Sequence, residues 1–222
     1  MKTLSKAVAM ASLLSAGVMG AQVANAEVEY SAGLATTYLW RGQDLGGAQI
    51  SAAADYSHDS GAYAGIWAAS GDTAFGNEYD LYVGFAKEFG DFSVDVMAAT
   101  YVYNAAVIDT DEDGEPDTDA YGSPGELSDA IISLGFMDAS LSYTAALQDE
   151  DYSYITLGYS VAGADLMIGS SDDGAGGEYT HFDVSYGLTD QLSITLSKIV
   201  DDTEEADLDT DAIVVMSYSL PL

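Results

Sequence analysis

Cysteine is absent from these 222 residues, proline occurs three times, and only five residues are basic. Each shortage removes a class of protein. Without cysteine there is no disulfide framework and no thiolate zinc site. The basic residues, Lys2, Lys6, Arg41, Lys87 and Lys198, stand against 37 acidic ones. Nucleic-acid binding depends on Lys and Arg neutralising phosphates, so this balance excludes nucleic acid as a partner. High acidity with little hydrophobicity signals disorder, yet here 48% of the residues are hydrophobic and 16 are tyrosine. That composition can order itself.

The first residues have a pattern of their own. Lys2 and Lys6 precede an apolar stretch from Ala7 to Met19, followed by Ala24-Asn25-Ala26. A basic start, a short apolar run and a small-x-small site are the parts of a secretory signal peptide. The run is shorter than the roughly 20 residues of a membrane-crossing helix. The expectation is a signal peptide over 1–26, cleaved after Ala26, and one domain over 27–222. Residues 27–222 hold three basic and all 37 acidic residues, a formal charge of −34.

No later segment has the unbroken apolar run of a transmembrane helix. Alternation with period two recurs instead, the mark of strands with two unlike faces. It is clear in Tyr79-Asp80-Leu81-Tyr82-Val83-Gly84-Phe85, Ile155-Thr156-Leu157-Gly158-Tyr159-Ser160-Val161 and Leu192-Ser193-Ile194-Thr195-Leu196-Ser197. About twelve such segments follow, centred near residues 34, 52, 65, 83, 97, 131, 143, 157, 167, 183, 195 and 216. Their links alternate between long (41–47, 70–77, 104–125, 148–151, 171–177, 201–209) and short (58–61, 90–91, 137–138, 162–163, 189–190). That rhythm predicts an all-β, transmembrane up-and-down antiparallel β-barrel with both ends periplasmic.

The two faces carry different chemistry. Leu81, Val83 and Phe85, or Leu192, Ile194 and Leu196, make an apolar face for lipid. Asp55, Asp80, Glu88, Asp95, Asp129, Asp165 and Asp183 fall on the other face and are expected to line the lumen. A negative tunnel favours cations; the competing reading pairs these carboxylates with nearby Tyr, Ser and Thr. Lys87 falls on the apolar face near a strand end, where its stem can snorkel to headgroups. Tyr63, Trp67, Tyr79, Phe89, Tyr101, Tyr103, Tyr152 and Tyr186 lie near strand ends and are expected to form interfacial girdles.

The segment Thr37-Tyr38-Leu39-Trp40-Arg41-Gly42 resembles the start of the TorF-type porins of proteobacteria, which show a Tyr-x-Phe/Trp-Arg-Gly element. Two further stretches, Tyr56 to Ala68 and Glu78 to Phe85 followed by Phe89-Gly90-Asp91-Phe92-Ser93, extend the likeness over roughly residues 30 to 103. The resemblance implies an outer-membrane location and a channel role. The C-terminus, Tyr218-Ser219-Leu220-Pro221-Leu222, departs from the aromatic ending such strands commonly present to the assembly machinery.

Two acidic loops stand out. In Asp109-Thr110-Asp111-Glu112-Asp113-Gly114-Glu115-Pro116-Asp117, carboxylates alternate and glycine is sixth, as in the first half of a calcium loop. The bidentate Glu expected at the twelfth place is Ala120, so Ca2+ at Asp109, Asp111, Asp113, Glu115 and Asp117 competes with a plain solvated loop. The second runs from Asp201 to Asp211. No cofactor is expected otherwise. Enzymatic readings rest on His181 with Ser185, a dyad without a supporting motif, so the chain reads as a non-enzyme.

The expected function is passive diffusion of small hydrophilic solutes, cations preferred. The alternative is a non-conducting barrel whose acidic extracellular loops bind divalent cations or a surface partner. Expected partners are outer-membrane lipid, lipopolysaccharide, the barrel assembly machinery, and small solutes or cations.

Overall fold

The structure, a computed structural model, describes residues 27–72, 75–104, 107–108, 118–119, 121–148, 151–204, 206 and 208–222. The expected signal peptide lies outside the described residues. In chain order the strands are β1 (Glu27–Ala35), β2 (Tyr38–Trp40), β3 (Gln43–Gly46), β4 (Gln49–Ser57), β5 (Ala62–Asp72) and β6 (Gly76–Phe89). Next come β7 (Phe92–Tyr103), β8 (Val107–Ile108), β9 (Thr118–Asp119), β10 (Ser128–Phe136) and β11 (Ala139–Ala146). The last are β12 (Ser153–Val161), β13 (Ala164–Asp172), β14 (Glu178–Gly187), β15 (Leu192–Asp202) and β16 (Ile213–Ser219).

Twelve of these close into one antiparallel ring, running β1, β4, β5, β6, β7, β10, β11, β12, β13, β14, β15, β16 and back to β1. The seam is made by β1 and β16, with Gly33 opposite Ser219 and Ala35 opposite Ser217. Each centre expected from period-two alternation falls inside one ring strand. The remaining four strands form two small hairpins within connections, β2–β3 and β8–β9.

The short links 58–61, 90–91, 137–138, 162–163 and 188–191 gather at one end of the barrel, together with Glu27 and Ser219. At the turn between β12 and β13, Ala162 and Gly163 have φ of 53° and 84°. Two positive φ values match a hairpin turn to the right-handed twist of its strands. One link at the opposite end differs from expectation. Pairing of β5 with β6 continues past an irregularity to Asp72 and Gly76, shortening the loop expected over 70–77.

Alternation along each strand turns the usual protein inside out. Val83, Val96, Ile132, Leu134, Leu157, Leu196 and Val214 point outward and are exposed. Asp80, Asp129, Thr156, His181, Asp183, Thr195 and Ser197 point inward and are buried. A soluble barrel would hide the first set and expose the second; a barrel that meets hydrocarbon does the reverse. Closure matters for the same reason, since lipid offers no partner to an unpaired N–H or C=O.

The girdle expectation holds for only part of its set. Tyr79, Phe89 and Tyr186 face outward. Trp67 and Tyr101 are buried inside, and the hydroxyls of Tyr63 and Tyr103 bond to the inward carboxylates Asp95 and Glu78. Parity decides this: these four share the carboxylates' face of their strands, so nearness to a strand end does not bring them to lipid.

Leu157 sits at the middle of β12 on the outer face. Leu157→Arg is expected to destabilise the bilayer-embedded barrel by about 2–4 kcal/mol, measured by denaturant unfolding in lipid vesicles. An unchanged midpoint would refute the lipid-facing assignment.

Candidate functional site

The connection from β1 to β4 does not arch over the rim. It turns inward as the β2–β3 hairpin, whose tip is Arg41-Gly42 with φ of 48° and 84°. This is again the two-residue turn with both φ positive. For arginine the left-handed conformation is strained by roughly 1–3 kcal/mol, a cost that persists only where surrounding contacts hold it.

Those contacts come from widely separated parts of the wall. At the root, Tyr38 packs its ring against Trp67 of β5, 6.4 Å between centroids, and donates its hydroxyl to Glu78 of β6. At the tip, the Arg41 guanidinium donates to Asp129 of β10 at 2.7 Å and to the hydroxyl of Tyr152, just before β12. The guanidinium also lies over three rings, 4.3 Å from the centroid of Trp40, 4.9 Å from Tyr154 and 5.3 Å from Tyr152. Gln43 donates to the Tyr179 hydroxyl of β14 at 2.9 Å. Between β6 and β14 stand five ring strands on either side. The hairpin therefore crosses the barrel along a diameter.

Gly42 explains how the tip fits. A Cβ there would lie 2.4 Å from Cγ of His181, so only glycine permits this approach. His181 is fully buried, with Nδ1 3.0 Å from Asp183 and Nε2 2.7 Å from the Tyr154 hydroxyl. Ser197 donates to the same Asp183 oxygen at 2.6 Å. Ser185 bonds Thr195 at 2.8 Å. The structure thus gives both ring nitrogens of His181 other partners and does not bring Ser185 to it as a dyad.

The residues expected to line the lumen are placed as follows. Asp80, Asp129 and Asp183 are buried within the barrel, and Asp55, Asp95 and Asp165 are half-buried on the same strand face. Glu88 is exposed close to the short-turn end. Most of the buried and half-buried carboxylates accept hydroxyl bonds: Tyr63 donates to Asp95 at 2.7 Å, Tyr82 to Asp55, Tyr101 to Asp129 at 3.0 Å and Ser160 to Asp165. A hydroxyl bonded to a carboxylate is short and strong, and it spreads the negative charge without a cation. Arg41 is the one inward-facing Lys or Arg among the described residues, because Lys87 and Lys198 lie on the outer face.

Glu78 was not among the expected positions. It is 2% exposed and accepts from Tyr38 and, at 2.9 Å, from Tyr103. Extending the alternation of β6 one step back from Asp80 would have found it. The inward hairpin leaves a fainter trace: one arginine before a glycine in an otherwise acidic domain.

The calcium-like residues Asp109, Asp111, Asp113, Glu115 and Asp117 lie outside the described residues. Among the described residues no group of three or more His, Asp or Glu side chains is arranged to hold a metal ion. In the connection between β13 and β14, Asp173 accepts backbone N–H groups of Ala175 and Gly177 at 2.8 Å each, which holds its carboxyl below the usual carboxylate range.

Residues 21–212 match the model of a bacterial protein family described as being of unknown function, Gcw_chp. The chain belongs to this family. No curated protein matches it. Among solved structures it is similar to the KdgM porin in complex with disordered oligogalacturonate, at 8% identity and a TM-score of 0.47, over 88% of this chain and 100% of that one. It is also similar to the outer membrane protein OprD of Pseudomonas aeruginosa, at 12% identity and a TM-score of 0.40, over 87% of this chain and 65% of that one. A mutant of the Rh. blastica porin gives 12% identity and a TM-score of 0.42 over 78% of this chain. The chain spans about half of that porin's length, 55%.

Gly42→Ala is expected to undock the hairpin, at more than about 1 kcal/mol for an alanine forced to positive φ. Hydrogen exchange should then rise for the amides of Leu39 to Gln43 while the ring strands keep their protection. Unchanged exchange at the tip would contradict the docked geometry.

Proposed function

We propose that this chain is an outer-membrane channel of the TorF porin type, passing small hydrophilic solutes by diffusion and preferring cations. The observation that carries the reading is the inverted distribution of a closed barrel, apolar outside and acidic inside. The outward belt suits lipid and lipopolysaccharide, and such a barrel reaches the outer membrane through export and the barrel assembly machinery. Asp55, Asp80, Glu88, Asp95, Asp129, Asp165 and Asp183 then set a negative interior potential that concentrates cations. The role is passive, with no catalytic group invoked.

One observation favours a second reading. The hairpin lies across the lumen, as a barrel that does not conduct would have it. In that case the acidic loops, including Asp109 to Asp117 and Asp201 to Asp211, become the working parts and bind divalent cations or a surface partner.

Single-channel recording of the refolded chain in planar bilayers separates the two. The channel reading expects discrete steps and a cation-selective reversal potential in a salt gradient, shifted toward zero in Asp55→Asn/Asp95→Asn. An anion-selective reversal would refute the cation preference, and a folded, heat-modifiable barrel that never conducts would refute the channel.

A further inference from the structure

Arg41 does more than close a hairpin; it occupies a receptor. Most of its cage is built by residues outside the hairpin. Asp129 offers a carboxylate oxygen at 2.7 Å and is itself oriented by the Tyr101 hydroxyl at 3.0 Å. Tyr152 and Tyr154 present ring faces, and the Tyr152 hydroxyl accepts a second guanidinium N–H. Only Trp40 is contributed by the hairpin. Both side chains of the ion pair are nearly excluded from solvent, 8% and 5% exposed. A buried carboxylate left without its cation is strongly unfavourable, so this wall demands a positive group.

We propose that Asp129, Tyr152 and Tyr154 form a binding site for guanidinium-bearing solutes, and that Arg41 is its tethered, exchangeable occupant. A planar ion that stacks on rings while its N–H fork reaches a carboxylate and a phenol is a guanidinium; a hydrated ammonium or alkali ion does not meet the same contacts. Tethering holds Arg41 at an effective concentration in the millimolar range, so a free solute competes only when it is comparably abundant. The left-handed backbone at Arg41 is relieved when the tip leaves, which favours exchange. The site stands on the fold alone; its consequence for permeation, a solute freeing the hairpin that crosses its own path, rests on the channel reading.

The test is a titration of refolded Arg41→Ala with guanidinium chloride against equal potassium chloride, read by the fluorescence of the two tryptophans, of which Trp40 lies beside the cage. The expected result is a saturable change, absent with potassium and lost in Arg41→Ala/Asp129→Asn. Wild type should respond only at several-fold higher concentration. If Arg41→Ala does not refold alone, a yield restored by guanidinium and not by potassium supports the site. No guanidinium-specific response or rescue, or an equal response in the double variant or in wild type, overturns it. Because binding is read without current, a barrel that never conducts would sink the channel and leave this site untouched.

Discussion

The structure depends on one constraint: a backbone N–H or C=O that meets hydrocarbon must pair with a neighbouring strand, because hydrocarbon supplies no partner. A flat sheet leaves two edges, so the ladder must bend until β16 meets β1. Once it closes, side-chain direction follows a period of two along a strand, apart from the register shifts in the β5–β6 and β14–β15 pairings. Each odd or even position is then committed to lipid or to lumen. The outward valines and leucines and the inward carboxylates are consequences of that commitment.

The interior solves its charge problem mainly with phenols. Several carboxylates lie inside a narrow barrel, where repulsion would oppose closure if all stood bare. Tyr38 and Tyr103 share Glu78, Tyr101 supports Asp129, Tyr63 supports Asp95, and Tyr82 supports Asp55. Two of these rings lie over glycines, Tyr63 over Gly84 and Tyr82 over Gly65. A lysine in the same place would neutralise its partner outright; a phenol holds the carboxylate in place and leaves the charge.

Strand positions were legible in the sequence because alternation is a property of each strand alone. Leu157 and Thr156 declare opposite faces with no knowledge of their neighbours. The destination of a face is also local, which is why Asp80, Asp129 and Asp183 could be assigned inward from charge and parity. The hairpin was not legible. Its placement depends on contacts between residues far apart in sequence, Arg41 with Asp129 and Gly42 with His181, and no periodicity in 36–48 records them. The aromatic girdle held only in part, for a related reason. Position along a strand suggested an interface for Trp67 and Tyr101, but parity outranks height, and hydrogen bonding to acids had no local signature.

The hairpin and the closure of the barrel are mechanically joined. Thr36 donates its N–H to Met216 at 3.0 Å and accepts the Met216 N–H on its hydroxyl at 3.0 Å, extending the seam one residue beyond the β1–β16 ladder. Two residues later Tyr38 enters the lumen and is tied to Glu78 on β6. Whatever holds Tyr38 in place also limits the freedom of Thr36, and with it the upper end of the seam. The seam ladder covers only Gly33–Ala35, whereas β1 pairs with β4 from Glu27 to Ala35. The least-paired junction of the ring thus borrows order from a segment docked inside it. Removing the hairpin would change more than the cross-section of the lumen: it would loosen the junction on which closure depends.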